Sequence, residues 1–460
     1  MSAVAALLRA RGLEVSGSDA RDGAALELLR AAGVTVHVGH DARNVDGAGT
    51  VVVSTAIRAT NPELARARET GVPVLHRSEA LAALMDDRRA VAVAGAHGKT
   101  TTSAMIAVAL RHAGLDPSYA IGGTVLAALD DLTAATVPST SPGGAHDGAG
   151  DVFVAEADES DGSFLAYRPT IAVVTNVEPD HLDHYGTREA FEAAFVAFAR
   201  RVRPGGTLVV CSDDPGAAAL AEAARADGIA VVTYGTGAAA DVRLGSWLTD
   251  GGVGGHATVR WPGDAQDVVL DLAVPGAHNA LDAAAAWTVA RLLGVDGTTA
   301  AEGLAAFRGT GRRFELRGTA GGVRVVDDYA HHPTEVAALL RAARQVAGAG
   351  RVLVLFQPHL FSRTATFAEE FGAALGLADV AIVTDVYAAR EDPDPAVTGE
   401  LITRHVPEPT TTAFIPDRFE AAAALGRLAR PGDLVLTVGA GDVTELAPVV
   451  LDAVPTAPGS

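Results

Sequence analysis

The chain has 460 residues, a formal net charge of −20, and 48% hydrophobic against 20% charged residues, a balance that builds large apolar cores and excludes a disordered chain. So acidic a surface repels a phosphate backbone, and no basic stripe interleaved with aromatics offsets it, so no nucleic-acid partner is expected. The single cysteine, Cys211, excludes an intrachain disulfide framework, while short or charge-broken apolar runs and the lack of a basic segment in Met1 to Leu8 predict no membrane insertion and a cytoplasmic location.

Short Val/Ile/Leu runs alternate with Ala-rich helical stretches along the whole chain, which predicts an α/β protein of about three domains, each a mainly parallel open sheet with helices on both faces. The first unit spans 1–88, with strands around Val51 to Val53 and Gly71 to Val74. A second begins with the apolar run at Ala90 and occupies 89–312. Within it, the Gly/Ser/Pro-rich stretch from Thr136 to Gly150 predicts a mobile surface loop. Cys211 reads as a buried structural thiol. Gly309-Thr310-Gly311 has the permissive backbone of a hinge, and a third unit covers 313–460.

The only lysine among 36 basic residues is Lys99, in the run Gly95-Ala96-His97-Gly98-Lys99-Thr100-Thr101-Thr102. An ammonium is a compact point charge that enters a tight cradle of backbone N–H groups, where the wide guanidinium fork does not. Two residues, not four, separate the glycines, so the loop is not the standard P-loop. Its context is nevertheless that of a phosphate site: Val91 to Ala94 reads as a strand, and Thr100 to Ala113 as a helix whose first N–H groups face an anion. In that geometry Lys99 bridges the β- and γ-phosphates of a nucleotide and the Thr100 hydroxyl ligates Mg2+.

The next two predicted strands end in carboxylates. Val152 to Ala155 runs into Glu156-Ala157-Asp158-Glu159-Ser160-Asp161, and Ile171 to Val174 runs into Thr175-Asn176-Val177-Glu178-Pro179-Asp180-His181. Ligands of open parallel sheets collect beyond the carboxyl ends of strands, so these groups are candidates for holding the metal. Zinc at His181 and His184 lacks a further His or Cys pair at suitable spacing.

Taken in order, GAHGKTTTSAM, EADESDGSF, VTNVEPDHLDHY, PGAHNALDAAAA, GTGRRFE, VDDYAHHPTE and FQPHLFSRT resemble the motifs of the Mur ligase family over almost the whole chain. The resemblance implies an ATP-dependent amide ligase of peptidoglycan precursor synthesis. In that reaction an acyl phosphate forms on the lactyl carboxylate of UDP-N-acetylmuramate and the amine of L-alanine attacks it. It implies ATP and Mg2+ as cofactors, and UDP-sugar-binding, ATP-binding and amino-acid-binding roles for the three units in turn. By the same resemblance Gly95 to Thr101 cradle the phosphates. Lys99 and Thr100 match the phosphate and Mg2+ residues, Glu156 and His181 the metal site, and His278 and Asn279 the adenine segment. Arg312 matches an arginine that reaches the phosphates, Asp328 an acid near the ribose, and His332 an active-site histidine. His359 and Arg363 match residues around the incoming amino acid, with Arg363 placed to clamp its carboxylate. Ser18 and Asp19 fall at the end of the second strand of the UDP-sugar domain. Read without the resemblance, His331 and His332 could merely cap a helix, and Arg312 and Arg313 could be an exposed linker pair.

Several positions depart from the family pattern. Met1-Ser2-Ala3 falls inside the family's opening Gly-Met-Ser match, so the first strand and its diphosphate loop are expected to be missing through a start codon assigned too far downstream. Asp282 stands where the HNALN pattern has asparagine, and an acid cannot donate the amide's hydrogen bond to a purine nitrogen. Leu360 stands where many relatives have arginine. With one lysine in the chain, a carbamylated lysine bridging a second metal is impossible. Two alternatives accompany the alanine-ligase reading: a recycling ligase that attaches murein tripeptide to the same sugar nucleotide, and a non-catalytic nucleotide-binding relative. No oligomeric state follows from the sequence.

Overall fold

The computed structural model describes residues 1–126, 144–249, 251–389 and 391–455. It is an α/β protein of mainly parallel sheets. By packing the chain divides into two compact units: residues 1–246, 257–271 and 280–308 form one, and 247–256, 272–279 and 309–460 the other.

The first unit opens with the helix Ser2–Ala10, followed by two separate pairs of parallel strands, β1 (Ser16–Asp19) on β2 (Thr35–Val38) and β3 (Val51–Val53) on β4 (Val74–His76). A helix joins the strands of each pair, Ala24–Ala31 in one and Pro62–Thr70 in the other. Between the pairs the chain makes a single 3-10 turn, Ala42–Val45, capped by Asp41.

The following strands are β5 (Arg89–Ala94), β6 (Ser118–Ala120), β7 (Ala145–His146), β8 (Val152–Glu156), β9 (Ile171–Val174), β10 (Thr207–Cys211), β11 (Ala230–Gly235), β12 (Val242–Leu244), β13 (Gly255–Arg260) and β14 (Val268–Leu272). They make one sheet in the order β14-β13-β12-β11-β10-β9-β5-β8-β6-β7. Ladders from β6 across to β12 are parallel, and the sheet turns antiparallel where β7 meets β6 and β13 meets β12. Central strands such as Val91 to Ala94 and Ile171 to Val174 are buried throughout. That explains their unbroken apolar sequence, because both faces of a parallel sheet are covered. Cys211 closes β10 in the core, where burial pushes its thiol up to about 11.

The stretch read as a mobile loop needs correction. Residues 136–143 lie outside the described residues, but Ala145–His146 is a strand, held by its antiparallel ladder to β6. Asp116 also fixes the end of this stretch, accepting from the Ala149 N–H at 2.8 Å.

The second unit is a six-stranded sheet in the order β15-β16-β20-β17-β18-β19. Its strands are β15 (Glu315–Ala320), β16 (Val323–Asp328), β17 (Val352–Phe356), β18 (Val380–Val383), β19 (Thr411–Phe414) and β20 (Leu434–Val438). Only β15 runs antiparallel to its neighbour; the others are parallel, with apolar clusters on both faces.

Candidate functional site

In the first unit the site grows from the carboxyl end of β5, which lies between β8 and β9. The chain leaves the strand at Gly95, turns at Gly98 and enters the helix Lys99–His112. Gly95 has φ +133° and Gly98 φ +81°, a region that L side chains rarely adopt. Space imposes the same requirement: a Cβ at Gly95 would lie 2.1 Å from Thr175 Oγ1, and one at Gly98 would lie 2.6 Å from Asp282 Oδ1. Side chains at the end of β9 lock the turn, since Asn176 accepts from the His97 N–H at 3.0 Å and donates to the His97 carbonyl at 3.1 Å. No side chain caps the start of the helix, so its first-turn N–H groups remain a ready anion site.

Lys99 Nζ donates to the Gly95 carbonyl at 2.7 Å and to Glu159 Oε1 at 2.9 Å. Burial by itself would lower the ammonium's pKa, but Glu159, Glu156 and Asp158 outweigh it and hold it above the usual lysine value. The Glu159 side chain is fully buried, and burial raises its carboxyl against the pull of Lys99. Thr100 Oγ1 donates to Glu156 at 3.0 Å, and the Gly122 N–H donates to the same carboxylate at 2.7 Å. His181, in a left-handed conformation at φ +54°, brings Nε2 within 3.8 Å of Glu159 Oε1 and 3.6 Å of Asp180 Oδ2. Lys99, Thr100, Glu156 and His181 thus belong to one cluster. His97 Nε2 lies 3.1 Å from a Glu178 carboxylate oxygen, and Thr101 is buried in the helix.

Asp282 does something the sequence reading did not assign to it. It accepts from Thr102 Oγ1 at 3.0 Å beneath Gly98, so it supports the glycine turn. Asp158 and Glu159, offered by the sequence only as carboxylates for a metal, instead engage cations: Glu159 pairs with Lys99 and Asp158 with Arg77, which the sequence reading had not singled out. The motif EADESD carries both carboxylates, but nothing in the sequence ties Arg77 to it. Ser18 and Asp19 sit on β1 in a network of their own: Ser18 Oγ donates to Glu63 at 2.6 Å and meets His40 Nδ1 at 3.0 Å, while Asp19 accepts from the Arg21 N–H at 3.1 Å.

The second unit gathers the remaining candidates. Arg312 is not an exposed linker residue: its Nε donates to buried Asp327 at 3.1 Å, its Nη2 to the Gly439 carbonyl at 2.6 Å, and its guanidinium lies 4.9 Å from the centre of the Tyr329 ring. Thr437 and Thr444 each donate to Asp327 at 2.8 Å. The guanidinium of its unassigned neighbour Arg313 lies 5.3 Å from the centre of the Tyr329 ring and 3.6 Å from Glu335. Asp328 accepts from the N–H groups of Phe314 and Ala330, both at 2.8 Å, and burial pushes its carboxyl up to about 6 although Arg313 pulls it down.

His332 occupies the N-cap of the helix Pro333–Ala347, with its N–H directed to Glu335 at 3.3 Å and its ring edge-on to Phe367. The capping role is therefore real, in a residue that is also buried. His359 stacks on Tyr387 at 5.8 Å, and Arg363 is buried in the short helix Phe361–Thr366. Leu360, at φ +70°, starts that helix and donates its N–H to the Tyr387 carbonyl at 3.0 Å. Where the helix Ala277–Leu292 begins, His278 is exposed, and the amide of buried Asn279 donates to the Pro275 carbonyl at 2.6 Å.

Known protein families match the chain in three consecutive stretches. The Mur ligase family catalytic domain matches residues 1–89, the Mur ligase middle domain residues 93–290, and the Mur ligase glutamate ligase domain residues 312–441. UDP-N-acetylmuramate--L-alanine ligase of Kineococcus radiotolerans is 60% identical over 98% of this chain and 93% of the relative. Among solved structures, UDP-N-acetylmuramate-alanine ligase of Thermotoga maritima superposes with a TM-score of 0.79 at 29% identity, covering 98% of this chain and 96% of that one. A murein peptide ligase from Psychrobacter arcticus gives 0.69 at 26% identity, with the same coverage of 98% and 96%. The matched domains and this identity over nearly the full length make the chain a member of the Mur ligase family.

Proposed function

We propose that this chain catalyses the ATP-dependent joining of L-alanine to the lactyl carboxylate of UDP-N-acetylmuramate, a step of peptidoglycan precursor synthesis. The observation that carries the reading is the cluster at the end of β5, where Lys99, Thr100 and Glu156 converge on an uncapped helix start. This cluster suits a magnesium nucleotide. Gly95 and Gly98 leave a cradle that no Cβ could enter, and the Thr100 hydroxyl and Glu156 carboxylate are adjacent hard oxygen donors. Bound there with His181 nearby, Mg2+ would supply charge neutralisation between phosphate and attacking carboxylate.

A carboxylate is a poor acyl donor until one of its oxygens becomes part of a phosphate leaving group. Lys99 is the group that would stabilise negative charge on the γ-phosphate as it passes to the lactyl oxygen. Gly95 to Thr101 would hold the phosphate chain by backbone N–H groups. In the second unit, Asp328 with Arg312 would meet the nucleotide, and His278 and Asn279 would face the base. His332, His359 and Arg363 would form the amino-acid side, with the buried Arg363 fork matched to the alanine carboxylate. Ser18 and Asp19 would belong to the UDP-sugar region, with residues 1–88, 89–312 and 313–460 taking sugar nucleotide, ATP and amino acid respectively. A cytoplasmic location accompanies this reading, and no described helix is long and apolar enough to cross a membrane.

Product analysis tests the proposal. Incubation with UDP-N-acetylmuramate, ATP, Mg2+ and L-alanine should yield the sugar nucleotide extended by one alanine, identified by mass spectrometry. Extension with murein tripeptide but not alanine would move the chain to the recycling ligases, and extension with neither would favour a non-catalytic relative.

A further inference from the structure

The segment after β8 faces two ways. Asp158 pairs with the Arg77 guanidinium, which heads the helix Arg77–Met85 directly after β4. The adjacent Glu159 holds Lys99 at 2.9 Å. Asp161 extends the first contact, accepting from Thr55 Oγ1 at 3.1 Å and approaching His76 Nε2 at 3.7 Å. The Ser160 N–H donates to Asp158 at 3.0 Å, and the Tyr185 hydroxyl donates to the Glu159 carbonyl, so the dipeptide between the two cations is held at both ends.

We propose that Arg77 is a positioning residue for Lys99, acting through the Asp158-Glu159 dipeptide and so joining the β3–β4 region to the phosphate loop. Three carboxylates, Glu156, Asp158 and Glu159, gather within four residues beside the lysine, and all three attract its ammonium. Like charges held so closely in a poorly hydrated place repel one another and compete for any nearby cation. Arg77 engages Asp158 and leaves Lys99 to Glu159 and the loop carbonyls. Without Arg77, Asp158 becomes an unopposed charge near the triphosphate position and draws the lysine away from the loop. The inference rests on the nucleotide reading of the loop given above.

The test is calorimetric binding of Mg-ATP without sugar nucleotide or amino acid, with thermal melts to confirm folding. Arg77→Gln should weaken binding about tenfold, the consequence of a free-energy loss of about 1.4 kcal/mol. Adding Asp158→Asn to Arg77→Gln removes the unopposed charge and should restore affinity to within about twofold of wild type, a suppression expected of direct coupling and not of a general packing defect. A double variant as weak as Arg77→Gln, or an Arg77→Gln equal to wild type, would overturn the proposal. If Arg77→Gln does not fold, Arg77→Lys gives the same reading, since it keeps the charge without the fork: affinity within about threefold of wild type is expected, and a tenfold loss contradicts a charge-based role. Wild type unable to bind Mg-ATP would instead overturn the nucleotide reading and this inference with it.

Discussion

Lys99 carries the chemistry of the first unit, and its surroundings define what can replace it. Its ammonium fits between the Gly95 carbonyl at 2.7 Å and Glu159 at 2.9 Å, next to a glycine turn with no space for a Cβ. Lys99→Arg should nearly abolish ADP formation while leaving the melting temperature within a few degrees, because the wide planar fork keeps the charge but not the fit; near wild-type turnover would remove Lys99 from its assigned place. Asp328 offers a test in the other unit. Its carboxyl, pushed up to about 6 by burial, lies above an unfolded aspartate at about 3.9. The native state therefore binds the proton more readily between those values, and the stability this group contributes is present below about pH 4 and lost as pH rises through about 6. The melting temperature of wild type relative to Asp328→Asn should accordingly fall across that interval, and a constant difference would contradict the buried, raised carboxyl. At this scale the sequence revealed Lys99, Thr100 and Glu156 because a lone lysine and a strand-end acid are local signals. It could not reveal that Asp282 lies beneath Gly98, or that Asp327 engages Arg312, since both contacts join residues far apart in sequence.

Among elements, the junction of β5 with the helix Lys99–His112 bears the most. Gly95 sits at φ +133° with Thr175 Oγ1 closing the space where a side chain would go. Gly95→Ala should lower stability by about 1–3 kcal/mol, the usual cost of a residue forced into so sparsely populated a backbone region. It should also weaken Mg-ATP binding sharply, because the turn that aims the helix N–H groups is displaced; a variant with native melting and native ATP affinity would show that the turn tolerates a Cβ. The junction was legible because an apolar strand, a glycine pair and an uncapped helix start occur consecutively, and β8 and β9 were equally plain as buried apolar runs ending in acids. The strand Ala145–His146 was not: its Gly-rich flanks resemble a loop, and its pairing to β6 is an edge contact made by residues with no alternating pattern. The split of β1 to β4 into two separate strand pairs was also beyond a local reading, since periodicity identifies strands but does not say which of them share a ladder.

Across the molecule, the two large, mainly parallel sheets place their candidate groups at the carboxyl ends of strands: Gly95 to Lys99 after β5, Glu156 at the end of β8, Asp327 and Asp328 at the end of β16, and Gly439 after β20. This is where open α/β sheets collect ligands, and it explains why motifs scattered along the sequence fall into two clusters. The family and the α/β class were legible because several of those motifs occur in a fixed order over the whole chain. The central claim is that this family member activates a sugar-nucleotide carboxylate for attack by alanine. The most direct measurement is the steady-state rate of ADP release with ATP, Mg2+ and UDP-N-acetylmuramate held constant while the acceptor is nothing, L-alanine or murein tripeptide. The account predicts sustained release that depends on L-alanine and on the sugar nucleotide together; release indifferent to L-alanine, or sustained only by the tripeptide, would contradict it.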